Sequence, residues 1–291
     1  MSLHELLISP FADYGFMRRA LVATLALGLG AAPIGVLLML RRMSLVGDAM
    51  SHAVLPGAAL GFMFAGGLSL LWMGLGALIA GLLVAVLSGV ISRTTVLKED
   101  ASFASFYLVS LALGVLLISL RGSNIDLLHV LFGTILAIDS QALCLIAGIT
   151  SLTLLVLAVV YRPLVMECFD PGFLRAVGGR GPWYHLLFLL LVVVLNLVAG
   201  FQTLGTLMAV GMMMLPAVIA QLWARTLGSM LLIATLSAVL SGYLGLLLSY
   251  HLNLASGPCI ILTAALLYGL SLLLAPAGAL RRFFPLPHLR N

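Results

Sequence analysis

The chain has 291 residues, of which 63% are hydrophobic and only 8% charged, with a mean hydropathy of +1.24. Soluble globular proteins carry roughly 25% charged residues, so a water-soluble enzyme, a disordered protein and a nucleic-acid-binding domain are excluded, and the chain belongs in a bilayer. The net charge is +5, and with so few charges their placement decides the orientation.

Residues 1–19 read as an N-terminal arm, a short amphipathic helix or an irregular stretch. They have no basic start before an apolar core and so do not form a secretory signal. Residues 20–280 form the transmembrane region, and 281–291 a cytoplasmic tail. Apolar runs long enough to span predict about nine transmembrane helices and an all-α polytopic membrane protein. The runs are Ala20–Leu40, His52–Ala65, Leu70–Ile91, Ser102–Leu120, Ala142–Tyr161, Trp183–Phe201, Leu204–Leu222, Leu227–Tyr250 and Gly257–Leu274. The second is short and rich in Gly and Pro. Asn124–Asp139 is semi-polar and too short to span, and reads as a re-entrant or interfacial turn. The runs are continuous rather than alternating, which excludes a β-barrel.

With the N-terminus outside, the inner segments hold Arg41, Arg42, Arg93, Lys98, Arg162, Arg175, Arg180, Arg225, Arg281, Arg282 and Arg290, 11 basic residues against three outside (Arg18, Arg19 and Arg121). The positive-inside bias therefore predicts N-out and C-in, with Arg18 and Arg19 running against it. The longest polar inner segment is 162–182. Within it Asp170 suits a helix N-cap, Pro171 the first helical position and Gly178 a terminator. A short helix over Pro171–Val177 follows, either an ordinary connection or a docking element for a cytoplasmic partner.

Ionisable residues inside spans are costly and mark function. Asp48 and His52 lie four apart in Ser44-Leu45-Val46-Gly47-Asp48-Ala49-Met50-Ser51-His52. On a helix they share a face about 6 Å apart, and a carboxylate with an imidazole can hold a divalent cation. Pro56 lacks an N–H, which predicts an open His52 carbonyl beside them. Gly57 and Gly61 make a G-x-x-x-G face for close helix approach, and a second copy across a two-fold axis would bring two such pairs together. The competing reading has Asp48 capping its helix, Ser51 bonding the backbone and His52 packing. Pro216 frees the Met212 carbonyl and kinks the seventh span; Met212, Met213 and Met214 suit core packing or a soft-metal path. Gln202, Thr203, Thr206, His251, Asn253 and Ser256 are weaker candidates for lining an outer opening. Cys144, Cys168 and Cys259 have no metal-ligand spacing, and an odd count does not make a disulfide framework; they read as buried small hydrophobes.

The single lysine, Lys98, is followed by Glu99 and Asp100, so no G-x-x-x-x-G-K-[ST] phosphate loop exists and any ATP-driven step needs an ATPase on another chain. There is no H-E-x-x-H and no G-x-S-x-G, so no enzyme is expected. A proton-driven carrier would want buried carboxylates in several spans.

The segment Arg41-Arg42-Met43-Ser44-Leu45-Val46-Gly47-Asp48-Ala49-Met50-Ser51-His52-Ala53-Val54-Leu55-Pro56-Gly57 resembles the signature of the metal-type ABC transporter permeases, which carry zinc, manganese or iron in bacteria. Asp126–Leu136, Asp170–Gly178 and Ser256-Gly257-Pro258 resemble further segments of that family in the same order, so the resemblance covers nearly the whole chain. It implies a fold like that of the vitamin B12-type importers with fewer spans, and a homodimer in the bacterial cytoplasmic (inner) membrane. It also implies a separate ATP-binding subunit and an extracytoplasmic metal-binding protein. On this resemblance Asp48 and His52 fall on the metal path. Asp170, Pro171, Phe173, Leu174, Ala176 and Val177 fall on the segment that couples to the ATPase, with Gly172 standing where an acidic residue is common. The expected cargo is zinc, or manganese, with ferrous iron a further possibility and no permanently bound cofactor. The alternatives are a siderophore- or vitamin-type ABC permease, which needs a wider lumen, and a self-standing metal channel or carrier, which needs no ATPase.

Overall fold

A backbone in hydrocarbon must satisfy its own N–H and C=O groups, and helices do so within one segment. In the computed structural model, which describes residues 6–67, 69–96, 99–120, 138–176, 178, 181, 183–184, 188 and 194–277, every regular element is helical. In chain order these are α1 (Ser9–Asp13), α2 (Gly15–Leu40), α3 (Ser44–Ala53), α4 (Leu55–Ala65), α5 (Leu70–Thr94) and α6 (Glu99–Leu120). They continue with α7 (Ser140–Phe169), α8 (Pro171–Ala176), α9 (Leu195–Leu204), α10 (Thr206–Trp223), α11 (Leu227–Leu252) and α12 (Ser256–Leu274). Residues 124–137 of the expected Asn124–Asp139 turn, the tail 281–291, and residues 185–187 and 189–193 of the expected span Trp183–Phe201 lie outside the described residues.

Among the described residues six helices, α2, α5, α7, α10, α11 and α12, are long and apolar enough to cross a membrane, where the hydropathy pattern predicts about nine spans. Two of the expected spans are present in a different form. The run His52–Ala65 is broken at Val54 into α3 and α4. The fourth survives as α6, whose apolar part is the shorter Ala101–Leu117. The break has a local cause. Pro56 sits in the first turn of α4, where the missing N–H costs nothing. The Val54 N–H turns back onto the Met50 carbonyl at 3.3 Å. Through Pro216, by contrast, α10 runs unbroken.

The bundle is organised around α2. This 26-residue helix, about 39 Å long at 1.5 Å per residue, has 72% of its spanning window buried, against 22% for α7 and 28% for α5. It packs against α7, α10 and α11, and α10 in turn packs against α11 and α12. Close approach depends on glycine. A Cβ on Gly35 would lie 1.8 Å from the Met213 carbonyl oxygen, so α2 and α10 touch backbone to backbone. On the other side of the molecule α4 and α5 do the same. A Cβ on Gly57 would lie 2.0 Å from the Gly76 oxygen, and one on Gly61 2.2 Å from the Trp72 oxygen. The G-x-x-x-G face is therefore used inside the chain, between α4 and α5, and does not serve as a contact for a second copy.

Polar side chains add interhelical bonds. Asn196 on α9 donates to Thr153 on α7 at 2.6 Å, and Thr150 on α7 donates to the Ala26 carbonyl of α2 at 2.9 Å; such bonds contribute about 0.6 kcal/mol each in membranes. α2 begins at Gly15, so the last residues of the N-terminal arm are already helical. Tyr243 donates to the Leu7 carbonyl at 2.9 Å and stacks on Phe11 at 5.3 Å, while His251 contacts the Leu6 carbonyl at 3.0 Å. These contacts hold α1 against the end of α11.

The C-terminus of α2 closes with a Schellman turn. Met43 donates to the Leu38 carbonyl and Arg42 to the Met39 carbonyl, both at 2.9 Å, and Arg42 takes the left-handed φ of 59° that usually belongs to glycine. A non-glycine residue there costs about 1 kcal/mol. Arg42→Gly is therefore expected to stabilise the folded chain by about that amount, read as a higher unfolding midpoint in detergent; a lower midpoint would mean that the exposed Arg42 side chain contributes more than its backbone costs.

Candidate functional site

Asp48 lies in the interior of α3, whose first residue is Ser44, so it is not a helix cap. One turn later His52 presents its Nε2 at 3.8 Å from Asp48 Oδ1. That spacing is too long for a hydrogen bond and leaves both atoms available to a third partner. Ser51 is satisfied locally, donating to the Asp48 carbonyl at 2.7 Å. Asp48, Ser51 and His52 line one side of a cavity of about 320 Å³, and Thr206, Leu207, Val210 and Gly211 from the first turns of α10 line the other. Asp48 is 61% exposed and His52 20% exposed. The carboxylate therefore stands in the open part of the cavity and the imidazole in its wall.

Two features fix the imidazole. Tyr107 of α6 meets the ring edge-on, with centroids 5.0 Å apart. Its Nδ1 is buried and has no hydrogen-bond partner. Histidine metal ligands usually donate their second N–H to an acceptor that orients the ring; here packing against Tyr107 takes that role. The helix beneath is seated on methionine. A Cβ on Gly47 would meet the Met213 and Met214 methyl carbons at 2.4 and 3.0 Å, and Met212 and Met213 are fully buried. Met213 and Met214 are packing residues that position α3, Met212 packs beside Gly28 of α2 and Gly242 of α11, and none of the three lines the cavity.

The pair supplies one oxygen and one nitrogen donor. Among the described residues no group of three or more His, Cys, Asp or Glu side chains could hold a metal ion. Of the weaker candidates, Thr206 lines the cavity. His251 is engaged with the N-terminal arm, Asn253 is the left-handed cap of α11, and Ser256 is buried at the start of α12. The side chains of Gln202 and Thr203 lie outside the described residues. Cys259 is buried and Cys168 half-buried, but Cys144 is exposed on α7, which departs from the expectation that all cysteines are buried. Sequence reading missed Tyr107 and the α10 wall. Leu207, Val210 and Gly211 are apolar or small and carry no chemical signature.

At the end of α7 the short helix α8 forms as its capping signals require. The Phe173 N–H donates to Asp170 Oδ1 at 2.9 Å, and Gly178 takes a φ of 79° past the helix end. α8 lies against α7. Leu174 is buried, while Phe173 and Ala176 are exposed. Val177 lies outside the described residues.

A bundle of long apolar helices around a small cavity with a carboxylate–imidazole pair, carried by a chain with no nucleotide-binding motif, defines a membrane transport subunit. Residues 13–275 match the ABC 3 transport family. The chain is similar to the manganese import system permease protein ScaB of Streptococcus parasanguinis, 38% identical over 93% of this chain and 96% of that one. It is also similar to the chelated iron transport system membrane protein YfeD of Yersinia pestis, 35% identical over 93% and 89%. Among solved structures, a chain of PsaBC from Streptococcus pneumoniae in complex with Fab superposes with a TM-score of 0.83 at 33% identity, covering 97% of this chain and all of the other. The chain belongs to the ABC 3 transport family, the metal-type ABC permeases that the Arg41–Gly57 segment resembles. It is a permease subunit rather than an enzyme, and a multi-pass protein of the bacterial cytoplasmic membrane.

Proposed function

We propose that the chain imports a divalent transition metal, manganese first, along a path through the Asp48–His52 cavity. The observation that carries this is the pair itself: an exposed carboxylate and a wall imidazole 3.8 Å apart, opposite the first turns of α10. Two donors bind weakly, which suits an ion that must also leave. Water or a second copy of the chain completes the coordination. The donor set alone suits zinc, manganese and ferrous iron alike, and the sequence reading leans to zinc. The similarity to a manganese permease and to a chelated-iron one moves manganese ahead. A carboxylate–imidazole pair in the lining suits a bare or hydrated ion, whereas a siderophore- or vitamin-type cargo would not call for it.

In this reading an ATP-binding subunit docks on the segment of Asp170, Pro171, Phe173, Leu174, Ala176 and Val177, meeting the exposed Phe173 and Ala176, while buried Leu174 and the Asp170 cap keep α8 on α7. An extracytoplasmic metal-binding protein delivers the ion, and two permease copies form the conduit. The chain runs N-out to C-in with the nine spans of the hydropathy pattern. The test is a cargo profile. Cells expressing the chain with its partner subunits are expected to accumulate manganese, with ferrous iron and zinc as competitors of lower potency. Uptake of an intact metal chelate in preference to the free ions would overturn the assignment.

A further inference from the structure

The guanidinium of Arg41 joins two parts of the chain that are 127 residues apart. Its Nε–H donates to the Cys168 sulfur at 3.2 Å, and its central carbon stands 5.1 Å from the centroid of the Phe188 ring. Both ends of this contact lie at helix junctions. Arg41 is the C-cap of α2, and α3, which carries Asp48 and His52, begins at Ser44. The turn between them is held by the Met43–Leu38 and Arg42–Met39 bonds. Cys168 lies in the last turn of α7, directly before Asp170 caps α8. The main packing partner of α8 is α7, and α3 packs on α2, α4, α5, α6, α9 and α10 instead. A shift of α8 thus has no substantial direct contact through which to reach α3. The Thr150 bond to the Ala26 carbonyl ties α2 to α7 well away from the α2–α3 junction, whereas at that junction a guanidinium held by a thiol on one side and a ring face on the other fixes position.

From this we infer that Arg41 is a positioning residue of the transport cycle: it locks the α2–α3 junction to the end of α7, so that displacement of α8 moves the Asp48–His52 helix. The inference rests on the proposed reading that α8 receives the stroke of an ATPase and that Asp48 and His52 lie on the metal path.

The test uses the full complex of permease and ATP-binding subunit in proteoliposomes, supplied with the manganese-loaded metal-binding protein, with manganese uptake and ATP hydrolysis measured on the same preparation. Arg41→Met keeps the length and apolar volume of the side chain and removes the charged fork. The expected result is an assembled complex that still hydrolyses ATP but transports about tenfold less manganese per ATP, within the range of a coupling free energy. Arg41→Lys, a cation without the planar Nε–H, is expected to restore only part of the ratio. Cys168→Ala is expected to lower the ratio in the same direction, and the double variant to be no worse than Arg41→Met alone, because both act through one contact. Manganese per ATP equal to wild type in Cys168→Ala and Arg41→Lys would overturn the inference, and so would uptake and hydrolysis falling in proportion in every variant. A wild-type complex that hydrolyses ATP yet moves no manganese would instead overturn the metal-import reading.

Discussion

Asp48→Ala and His52→Ala are each expected to lower the initial rate of manganese uptake by at least about tenfold and by up to about a hundredfold, the range seen when metal sites lose a supporting group. The size follows from the donor count. A pair offers two protein ligands, and removing either leaves one, which cannot compete with water for a hydrated cation. Asp48→Ala leaves the packing of α3 in place, because Asp48 is exposed, and should insert, assemble and hydrolyse ATP as wild type does. His52→Ala also removes the ring packed on Tyr107, so its assembly and ATP hydrolysis are measured beside its uptake. Ser51→Ala is the matched control. Its hydroxyl is bonded to the Asp48 carbonyl, so its removal is expected to leave uptake close to wild type. Normal uptake by both the Asp48 and the His52 variants would remove the cavity from the transport path.

The largest expected effect on folding is at Gly35. A Cβ there would fall 1.8 Å from the Met213 carbonyl oxygen, 2.8 Å from its carbonyl carbon and 3.2 Å from the Ala217 Cβ. The first two are backbone atoms of α10 and cannot turn aside as the end of a flexible side chain does. Gly35→Ala must part α2 from α10, the two helices at the centre of the bundle, at a cost of about 3 kcal/mol or more. Gly269→Ala on α12 meets nothing within 4 Å and gains helix propensity, so it is expected to be neutral or stabilising by up to about 1 kcal/mol. Detergent-extracted yield and unfolding midpoint of the two variants check the contrast. Equal behaviour would mean that α2 and α10 are farther apart than the structure places them.

Much of the fold is legible in the hydropathy pattern, because a bilayer demands continuous apolar helices and tolerates few charges. The long spans and the capped helix after Asp170 follow from signals that act within a few residues. Pattern failed where two signals compete. The run from His52 to Ala65 is apolar throughout, yet Val54 and Pro56 divide it, since a proline at the start of a helix is favourable and one inside it is not. The G-x-x-x-G of Gly57 and Gly61 announced close approach but not its partner. Only the fold shows that α5 fills it with Gly76. Asp48 and His52 were visible because ionisable groups are rare in such a chain. Tyr107, Leu207, Val210 and Gly211 were not, because a cavity wall of apolar residues looks like any other part of the bundle. The Arg41–Cys168 contact links residues separated by 127 positions, a distance over which sequence spacing carries no geometric information.

The most direct test of metal import powered by a separate ATPase compares proteoliposomes holding the permease alone with proteoliposomes holding the permease and its ATP-binding subunit, each loaded with a manganese-quenched reporter. Manganese entering only when both subunits, ATP and the metal-binding protein are present, and failing to enter when Asp48 is replaced by alanine, is the predicted result. ATP-independent manganese entry through the permease alone, undiminished in Asp48→Ala, would contradict it and identify a self-standing channel with a different path.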